Sequence, residues 1–589
     1  MRDFFKYVLA TVVGIVISTF VLTLIFIAII VGIASSVGEE TAVEVKKNSV
    51  LYLDLDQPIL ERTPENSLAG IPFLGGDENK KIGFYDLIKA LKAAKTDDNI
   101  KCIYLNVTSP NAGMATLLEI RNALVDFKKS KKQIIAYSEV YTQGAYYLAS
   151  TADKVYLNPE GALEFKGFSS ELMFFKGALD KLGVEAQIIR VGNYKSAVEP
   201  FINTKMSDYN RQQVSAYVGG LYQTFLDGIS TSRQISTDSL YFWANEHTIS
   251  QPKDALNYNL IDGLRYKDEI IDELKKLTGR NKKTDLEIIS INDYAEKVPT
   301  KSNNSKNKIA VIYANGDIVG GEGSDEEIGS ERISRAIRKA RLNENVKAIV
   351  LRVNSGGGSA LASDVIWREI VLTKKVKPVI ASFGDVAASG GYYIGCAADS
   401  IFVQPNTITG SIGVFGIIPN LQNLYNNKLG ITFDGVKTGK YADIMSLNRP
   451  MTQGERFIIQ NDVNRVYDSF ITRVADGRKK TKAQVDSIGG GHVWIGTDAV
   501  KIGLADRLAS FEDAIKSAAK KAKLNDYKIV EYPEKIDPIK SLFKNAKDDI
   551  SSYYAKKELG ENYLIYKKMQ KAIVNSGIQA KMDYEIRIK

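Results

Sequence analysis

The sequence predicts two tandem α/β domains of common ancestry behind an N-terminal transmembrane helix. Three observations predict this. An uncharged apolar run lies near the start, much of the chain repeats at a near-constant offset, and each copy alternates strand-like with helix-like segments.

The apolar run comes first. Residues 7–38 hold no charged side chain and consist mostly of Val, Ile, Leu, Ala, Phe and Thr. About 20 apolar residues in a helix cross a bilayer core, so 8–35 is expected to span one with some tilt. A cleaved leader has a shorter core of roughly 7–15 residues and a small-residue cleavage site, an option that Ala34-Ser-Ser36 keeps open. Arg2 and Lys6 precede the run, and Glu39 and Glu40 follow it. The positive-inside bias then places 1–7 in the cytoplasm and everything from about residue 40 outside it.

The repeat comes next. Ile82-Gly83 aligns with Ile328-Gly329 at an offset of 246. Asn99-Ile-Lys-Cys-Ile-Tyr-Leu105 then meets Asn345-Val-Lys-Ala-Ile-Val-Leu351, and Ala145-Tyr-Tyr147 meets Gly391-Tyr-Tyr393. Asp153 meets Asp399, Pro159 meets Pro405, and Asp254-Ala255 meets Asp498-Ala499 at offset 244. A match sustained over roughly 170 residues marks a duplication. It divides the chain into repeats at 46–298 and 308–530, a polar linker at 299–307 and a charged tail with peripheral helix at 531–589.

Within the second copy, Ile309–Tyr313 reads as a strand, and Glu327–Ala340 has the helical spacing Ile328, Ile333, Ile337, Ala340. Val346–Val353 is a strand, Ala360–Leu372 a helix, Val376–Phe383 a strand, Gly390–Ala398 a helix and Ser400–Val403 a strand. Such alternation implies parallel pairing with right-handed crossovers.

Composition narrows the function. The 589 residues are too many for one core, and 44% hydrophobic with 25% charged is ordinary for globular domains. The +9 net charge is spread along the chain, with much of the excess in the last 70 residues. This reads as a solvated surface, not a nucleic-acid stripe. Two Cys and two His give no zinc-ligand spacing, and neither a metal nor another cofactor is expected. Cys102 and Cys396 fit buried small apolar residues, and nothing requires a disulfide between them.

The chemistry concentrates in Phe383-Gly-Asp-Val-Ala-Ala-Ser389-Gly-Gly-Tyr-Tyr393. A strand runs in, small residues turn, and a helix starts near Gly390. Ser389 thus lies at a helix N-terminus beside unpaired N–H groups, which an oxyanion requires. An ordinary N-cap serine fits the same place. The first copy has Gln143 there, which cannot attack a carbonyl. Leu351-Arg-Val-Asn-Ser-Gly-Gly-Gly-Ser359 follows a buried strand, and its glycines would let backbone approach a ligand or simply make a flexible turn. The first copy keeps only Thr108-Ser-Pro-Asn-Ala-Gly113.

Lysine runs the other way. Val191-Gly-Asn-Tyr-Lys-Ser-Ala197 has a partial copy in Lys437-Thr-Gly-Lys-Tyr-Ala-Asp443, where Ala442 faces Lys195. Neither His247 nor His492 lies in the repeated strand–turn–helix blocks, which argues against a Ser–His–Asp triad. Lysine can replace histidine as the base for serine if burial lowers it from its reference pKa of about 10.4. Read alone, Lys195 is an ordinary surface charge. Reciprocal loss across the duplication points instead to one composite site at the domain interface.

At Tyr194-Lys-Ser-Ala-Val-Glu-Pro-Phe201 and Ala387-Ala-Ser-Gly-Gly-Tyr392 the chain resembles the long, two-repeat members of the signal peptide peptidase A family. The resemblance covers anchor, lysine repeat and serine repeat. It implies crotonase-like, caseinolytic-protease-like (ClpP-like) domains, and a membrane-bound serine endopeptidase that degrades cleaved signal peptides. It further implies Ser389 as nucleophile, Lys195 as general base then acid, and Ser411 in Thr409-Gly-Ser-Ile-Gly413 as the hydroxyl orienting Lys195. Gly390 and Gly357 would supply the oxyanion N–H groups, although Gly356 replaces the family's usual proline and leaves that loop less rigid. The implied assembly is a bowl-like homotetramer whose inward-facing sites admit extended apolar peptides. Two other readings fit the same fold: a crotonase-type acyl-CoA enzyme, and a membrane scaffold without activity.

Overall fold

The computed structural model describes residues 2–37, 45–64, 81–298, 305–535, 560 and 577–582. The helix Arg2–Val37 covers the predicted span, and nothing in Lys6–Ile25 is buried against the rest of the chain. By length and composition this helix is long and apolar enough to cross a membrane.

In the first repeat, six strands lie in the order Gly263–Leu264, Lys154–Leu163, Gln133–Tyr141, Ile100–Asn106, Ser49–Asp54, Ile288–Ser290. Every neighbouring pair is parallel. The second repeat matches it. Val379–Ala388 lies beside Val346–Ser355, followed by Lys308–Asn315 and Lys528–Tyr532, all parallel. Parallel sheets are covered on both faces, which is why Ile349, Val350, Leu351 and Val353 are all apolar with no exposure, interrupted only by Arg352.

Local periodicity misplaces several element ends, among them that of the helix expected over Gly390–Ala398, which stops at Gly395. Residues Glu327–Gly329 form a strand, and the helix starts only at Ser330 and runs to Leu342. The strand expected at Val376–Phe383 occupies Val379–Ala388, because Val386, Ala387 and Ala388 pair with Ile408, Thr409 and Gly410. That partner lies some twenty positions on, beyond any local pattern. In the tail, Gly577–Lys581 is a strand where helix was expected. The remainder of 536–589, like 299–304 of the linker, lies outside the described residues.

The repeats share a core. Phe511 of the second packs on Phe84 and Tyr85 of the first, with ring centroids 6.4 and 5.2 Å apart. Beside it is a buried polar seam. Arg352 (1% exposed) reaches Glu61 at 2.8 Å and Glu119 at 3.7 Å, both from the first repeat. Asp385 accepts hydrogen bonds from Ala115 N, Thr116 N and Thr116 Oγ1 at 2.8, 2.9 and 2.6 Å. A carboxylate from one repeat therefore caps the helix Met114–Lys128 of the other, where it also meets the dipole's positive end. A Cβ on Gly113 would collide with that carboxylate, which explains the surviving glycine in the first copy's degraded loop.

A third sheet crosses the repeats in the order Glu327–Gly329, Asp317–Val319, Gly357–Ser359, Gly577–Lys581, Phe415–Asn420, Glu185–Arg190. Its last pair joins Arg190 to Phe415 and Glu185 to Asn420, antiparallel. This pairing carries the segment after Arg190 across to the second repeat.

Candidate active site

Ser389 sits where the strand Val379–Ala388 meets the helix Gly390–Gly395, at φ 55° and ψ −116°. A non-glycine residue at positive φ is strained and needs surroundings that impose it. Here Ser389 N donates to Gly410 O at 2.8 Å, and Ser389 O accepts from Tyr393 N at 2.9 Å. It occupies the N-cap position, but its side chain makes no capping bond. Ser389 Oγ faces Lys195 Nζ at 2.8 Å instead.

Lys195 arrives by the cross-repeat strand pair. Tyr194 N donates to Gly490 O at 3.1 Å, and Arg190 Nη1 donates to Lys195 O at 3.2 Å. Glycine makes the fit. A Cβ on Gly491 would lie 2.5 Å from Lys195 N and Cα, and one on Gly413 would stand 3.2 Å from Lys195 Cδ. Lys195 is 1% exposed, and its Nζ also contacts Ser411 Oγ at 3.0 Å and Ser411 O at 3.2 Å. The surface-charge reading of this lysine therefore fails. Ser411 also has positive φ, 49°, fixed by its N–H donating to His492 O at 2.7 Å.

Gly490 and Gly491 carry no signal in the sequence beyond the triplet Gly489-Gly-Gly491 before His492. His492 contributes its backbone, while its ring stacks on Trp494 and tilts against Tyr194 at 4.0 and 4.3 Å. Its Nδ1 lies 2.9 Å from Val493 O, and burial lowers its pKa. Cys102 and Cys396 are free buried thiols, both pushed up to about 12 by burial.

The first copy's matching place is plugged. Gln143 Nε2 donates to Gly167 O at 2.9 Å, and Gln143 Oε1 accepts from Gly167 N at 3.1 Å. Gly167 aligns with Gly413, whose carbonyl lies 3.4 Å from Ser389 Oγ. The glutamine thus braces by hydrogen bonds the place where the second copy keeps a reactive hydroxyl. Ala442, which faces Lys195 in the alignment, is exposed.

The glycine loop is no loose turn. Gly357–Ser359 is a strand held on both sides, and Gly357 has φ 99°. A Cβ on Gly357 would come within 2.6 Å of Gly390 N, so only glycine leaves that N–H approachable. The Gly357 N–H itself donates to Ser355 Oγ at 3.1 Å. In strand alternation the Gly358 N–H points the opposite way, toward the neighbouring tail strand.

Comparison with known proteins follows the same division. The sequence model of peptidase family S49 matches residues 126–281 and 372–525, one stretch in each repeat. "Protease 4" of Salmonella typhi is 38% identical over 534 residues, covering 87% of this chain and 85% of its own. "Protease 4" of Haemophilus influenzae is 35% identical over 508 residues, covering 84% and 82%. The chloroplastic "Serine protease SPPA" of Arabidopsis thaliana is 31% identical over 548 residues, covering 92% and 78%.

Proposed function

Given that the chain belongs to peptidase family S49 and is a serine protease, we propose that it cleaves extended peptides with a Ser389–Lys195 dyad. The observation that carries this reading is the 2.8 Å contact between a buried amine and a strained hydroxyl from different repeats. Ser389 Oγ attacks the scissile carbonyl while Lys195 Nζ takes its proton. The same Nζ then protonates the leaving amine, and water repeats the sequence on the acyl-enzyme. Ser411 Oγ and O fix the direction of Nζ. Burial disfavours the charged form of a lysine, which is the direction a base needs. The developing oxyanion is received by the N–H groups of Gly390 and Gly358. Gly358 is proposed in place of Gly357 because the Gly357 N–H is held within its own turn by Ser355 Oγ, whereas the Gly358 N–H faces the position of the strand Gly577–Lys581.

Membrane anchorage through residues 8–35, with catalytic repeats on the extracytoplasmic side of the bacterial inner membrane, is supported by Arg2 and Lys6 before the helix and Glu39 and Glu40 after it. Signal peptides left in that membrane are the proposed substrates, being apolar and accessible as extended chains. The enzyme is expected to need no cofactor and to bind no nucleic acid. A fluorophosphonate probe should label Ser389 and nothing else, read by mass spectrometry of the tryptic adduct. An unlabelled Ser389 would favour the acyl-CoA or scaffold reading.

We also propose a homotetramer, supported by the repeat itself. The strand Glu185–Arg190 pairs with Phe415–Asn420, yet its second-copy counterpart, 432–437, lies outside any strand, with Val436 fully exposed and Phe433 54% exposed. The first-copy counterpart of Phe415–Asn420 is 168–173, which is likewise outside any strand. Docking 432–437 of one copy onto 168–173 of the next would repeat the internal interface head to tail, and a ring forms where the rotation between copies closes. Val436→Asp should shift the sedimentation coefficient in detergent from tetramer to smaller species; an unchanged tetramer refutes this interface.

A further inference from the structure

We propose that Gln213 is a positioning residue of the dyad: its buried amide ties the turn that carries Lys195 to the strand of the second repeat that sets Ser411 and Ser389. The proposal rests on the Ser389–Lys195 reading above.

Gln213 lies in the second turn of the helix Asp208–Arg233 and has no exposure. Its Nε2 stands 3.1 Å from Tyr194 O and 2.9 Å from Ser196 Oγ, the residues on either side of Lys195. Its Oε1 accepts from Val493 N at 3.1 Å, across the boundary between repeats. Val493 opens the strand Val493–Ile495, which pairs antiparallel with Ile408–Gly410. Both hydroxyls of the site hang on this strand pair. Gly410 O accepts from Ser389 N at 2.8 Å, and His492 O, one residue before Val493, accepts from Ser411 N at 2.7 Å. One amide therefore joins the backbone flanking the amine to the backbone that holds the two hydroxyls the amine meets.

The amide has one workable orientation. Val493 N can only donate and Tyr194 O can only accept, so a flipped amide would break both bonds. A buried carboxylate locks the far side. Glu199, also without exposure, accepts from Asn210 Nδ2 at 3.0 Å and from Ser207 Oγ and N at 2.5 and 3.1 Å. Asn210 Nδ2 is thereby committed to Glu199, and Asn210 Oδ1 faces Gln213 Nε2 at 3.3 Å. Such a satisfied buried network is rigid and holds a single geometry.

The duplication supports the assignment independently. The helices Asp208–Arg233 and Gln453–Arg478 both have 26 residues and are capped by Ser207 and Thr452. In that alignment Ile458 stands opposite Gln213. The copy with Ala442 in place of Lys195 thus lacks the amide as well. The next positions, Val214 and Ile459, stay apolar and buried in both copies. Packing accounts for that pair, but a glutamine is buried only for the hydrogen bonds it makes.

Gln213 acts through Lys195. Without it the turn is free to shift relative to Ser389 Oγ, and a misplacement of about 1 Å costs on the order of 100-fold in rate. Water would also gain access to Nζ and favour its charged form.

The test compares the parent chain with Gln213→Met in detergent, on a fluorogenic apolar peptide, with active sites counted by the fluorophosphonate probe. kcat per site should fall about 100-fold with KM within about twofold. The acid limb of kcat/KM against pH should move up by about one unit. Gln213 carries no charge, so its loss leaves unchanged the charges of Arg190, Glu199, Tyr209 and His492, which meet this turn or its supports. A moved limb therefore reports the geometry and hydration of Nζ. Gln213→Asn is neutral but too short to reach Val493 and Tyr194 together. It should show the same two changes, and it decides the matter if Gln213→Met does not fold. A kcat per site within about threefold of the parent, or an unmoved limb, overturns the proposal. Loss of the fold in both variants overturns it too, since the amide would then be a structural brace. These results leave the dyad standing if the parent chain is active and Ser389→Ala is not. Turnover by Ser389→Ala would sink the dyad itself.

Discussion

Replacing Lys195 with methionine is expected to lower kcat/KM by about four orders of magnitude with the fold intact, a loss of roughly 5.5 kcal/mol of transition-state stabilisation. Methionine keeps the length and most of the volume that Gly491 and Gly413 enclose, so packing is preserved while the proton acceptor beside Ser389 Oγ disappears. Ser389→Ala should cost about as much, and the double variant little more than either, because members of one catalytic unit are strongly non-additive. Lys195→Arg should also fail, since guanidinium stays protonated and needs more room than the glycine-lined pocket offers. The measurement is kcat/KM on a fluorogenic peptide, beside circular dichroism of each variant. A Lys195→Met enzyme within tenfold of the parent would show that another group takes the proton.

The second large effect concerns the seam. Arg352→Met should destabilise the chain by about 3–5 kcal/mol, because it leaves the carboxylates of Glu61 and Glu119 buried without their cation. Urea denaturation followed by tryptophan fluorescence measures this, and a loss below about 1 kcal/mol would mean that water already reaches the cluster. Burial alone would lower the Arg352 pKa, but Glu61 and Glu119 raise it above the ordinary value. Burial also raises Asp385, and pushes Glu119 up to about 7 against the pull of Arg352. Between its ordinary 4.5 and about 7, Glu119 holds a proton when folded that it gives up when unfolded. Its stabilisation is therefore complete below about pH 4.5 and is lost as pH rises through 7. Glu119→Gln should flatten that decline in a plot of melting temperature against pH. Because Asp385 lies on the strand that delivers Ser389, loosening the seam should also slow catalysis.

The duplicated α/β architecture, the apolar helix and the meeting of Ser389 with Lys195 were legible in the chain as text. Each rests on a local or periodic signal: an uncharged run, an offset of 246, a hydroxyl lost in one copy and an amine lost in the other. The Gly490–Gly491 wall and the bond from the Gly357 N–H to Ser355 were not legible, because glycine runs look alike until their neighbours are known. Nor was the Arg352 seam, whose four charged members span residues 61 to 385.

What the sequence determined by itself is the inventory of groups and the order of strands and helices, since side-chain type and hydrophobic period act over a few residues. What only the tertiary structure decided is contact. Antiparallel pairing of Glu185–Arg190 with Phe415–Asn420 brings an amine within 2.8 Å of a hydroxyl 194 positions away. It also let a tail that reads as charged helix settle as a strand between Gly357–Ser359 and Phe415–Asn420. The physical reason is that strand pairing satisfies backbone groups wherever an open edge lies, and where edges lie depends on how whole repeats dock.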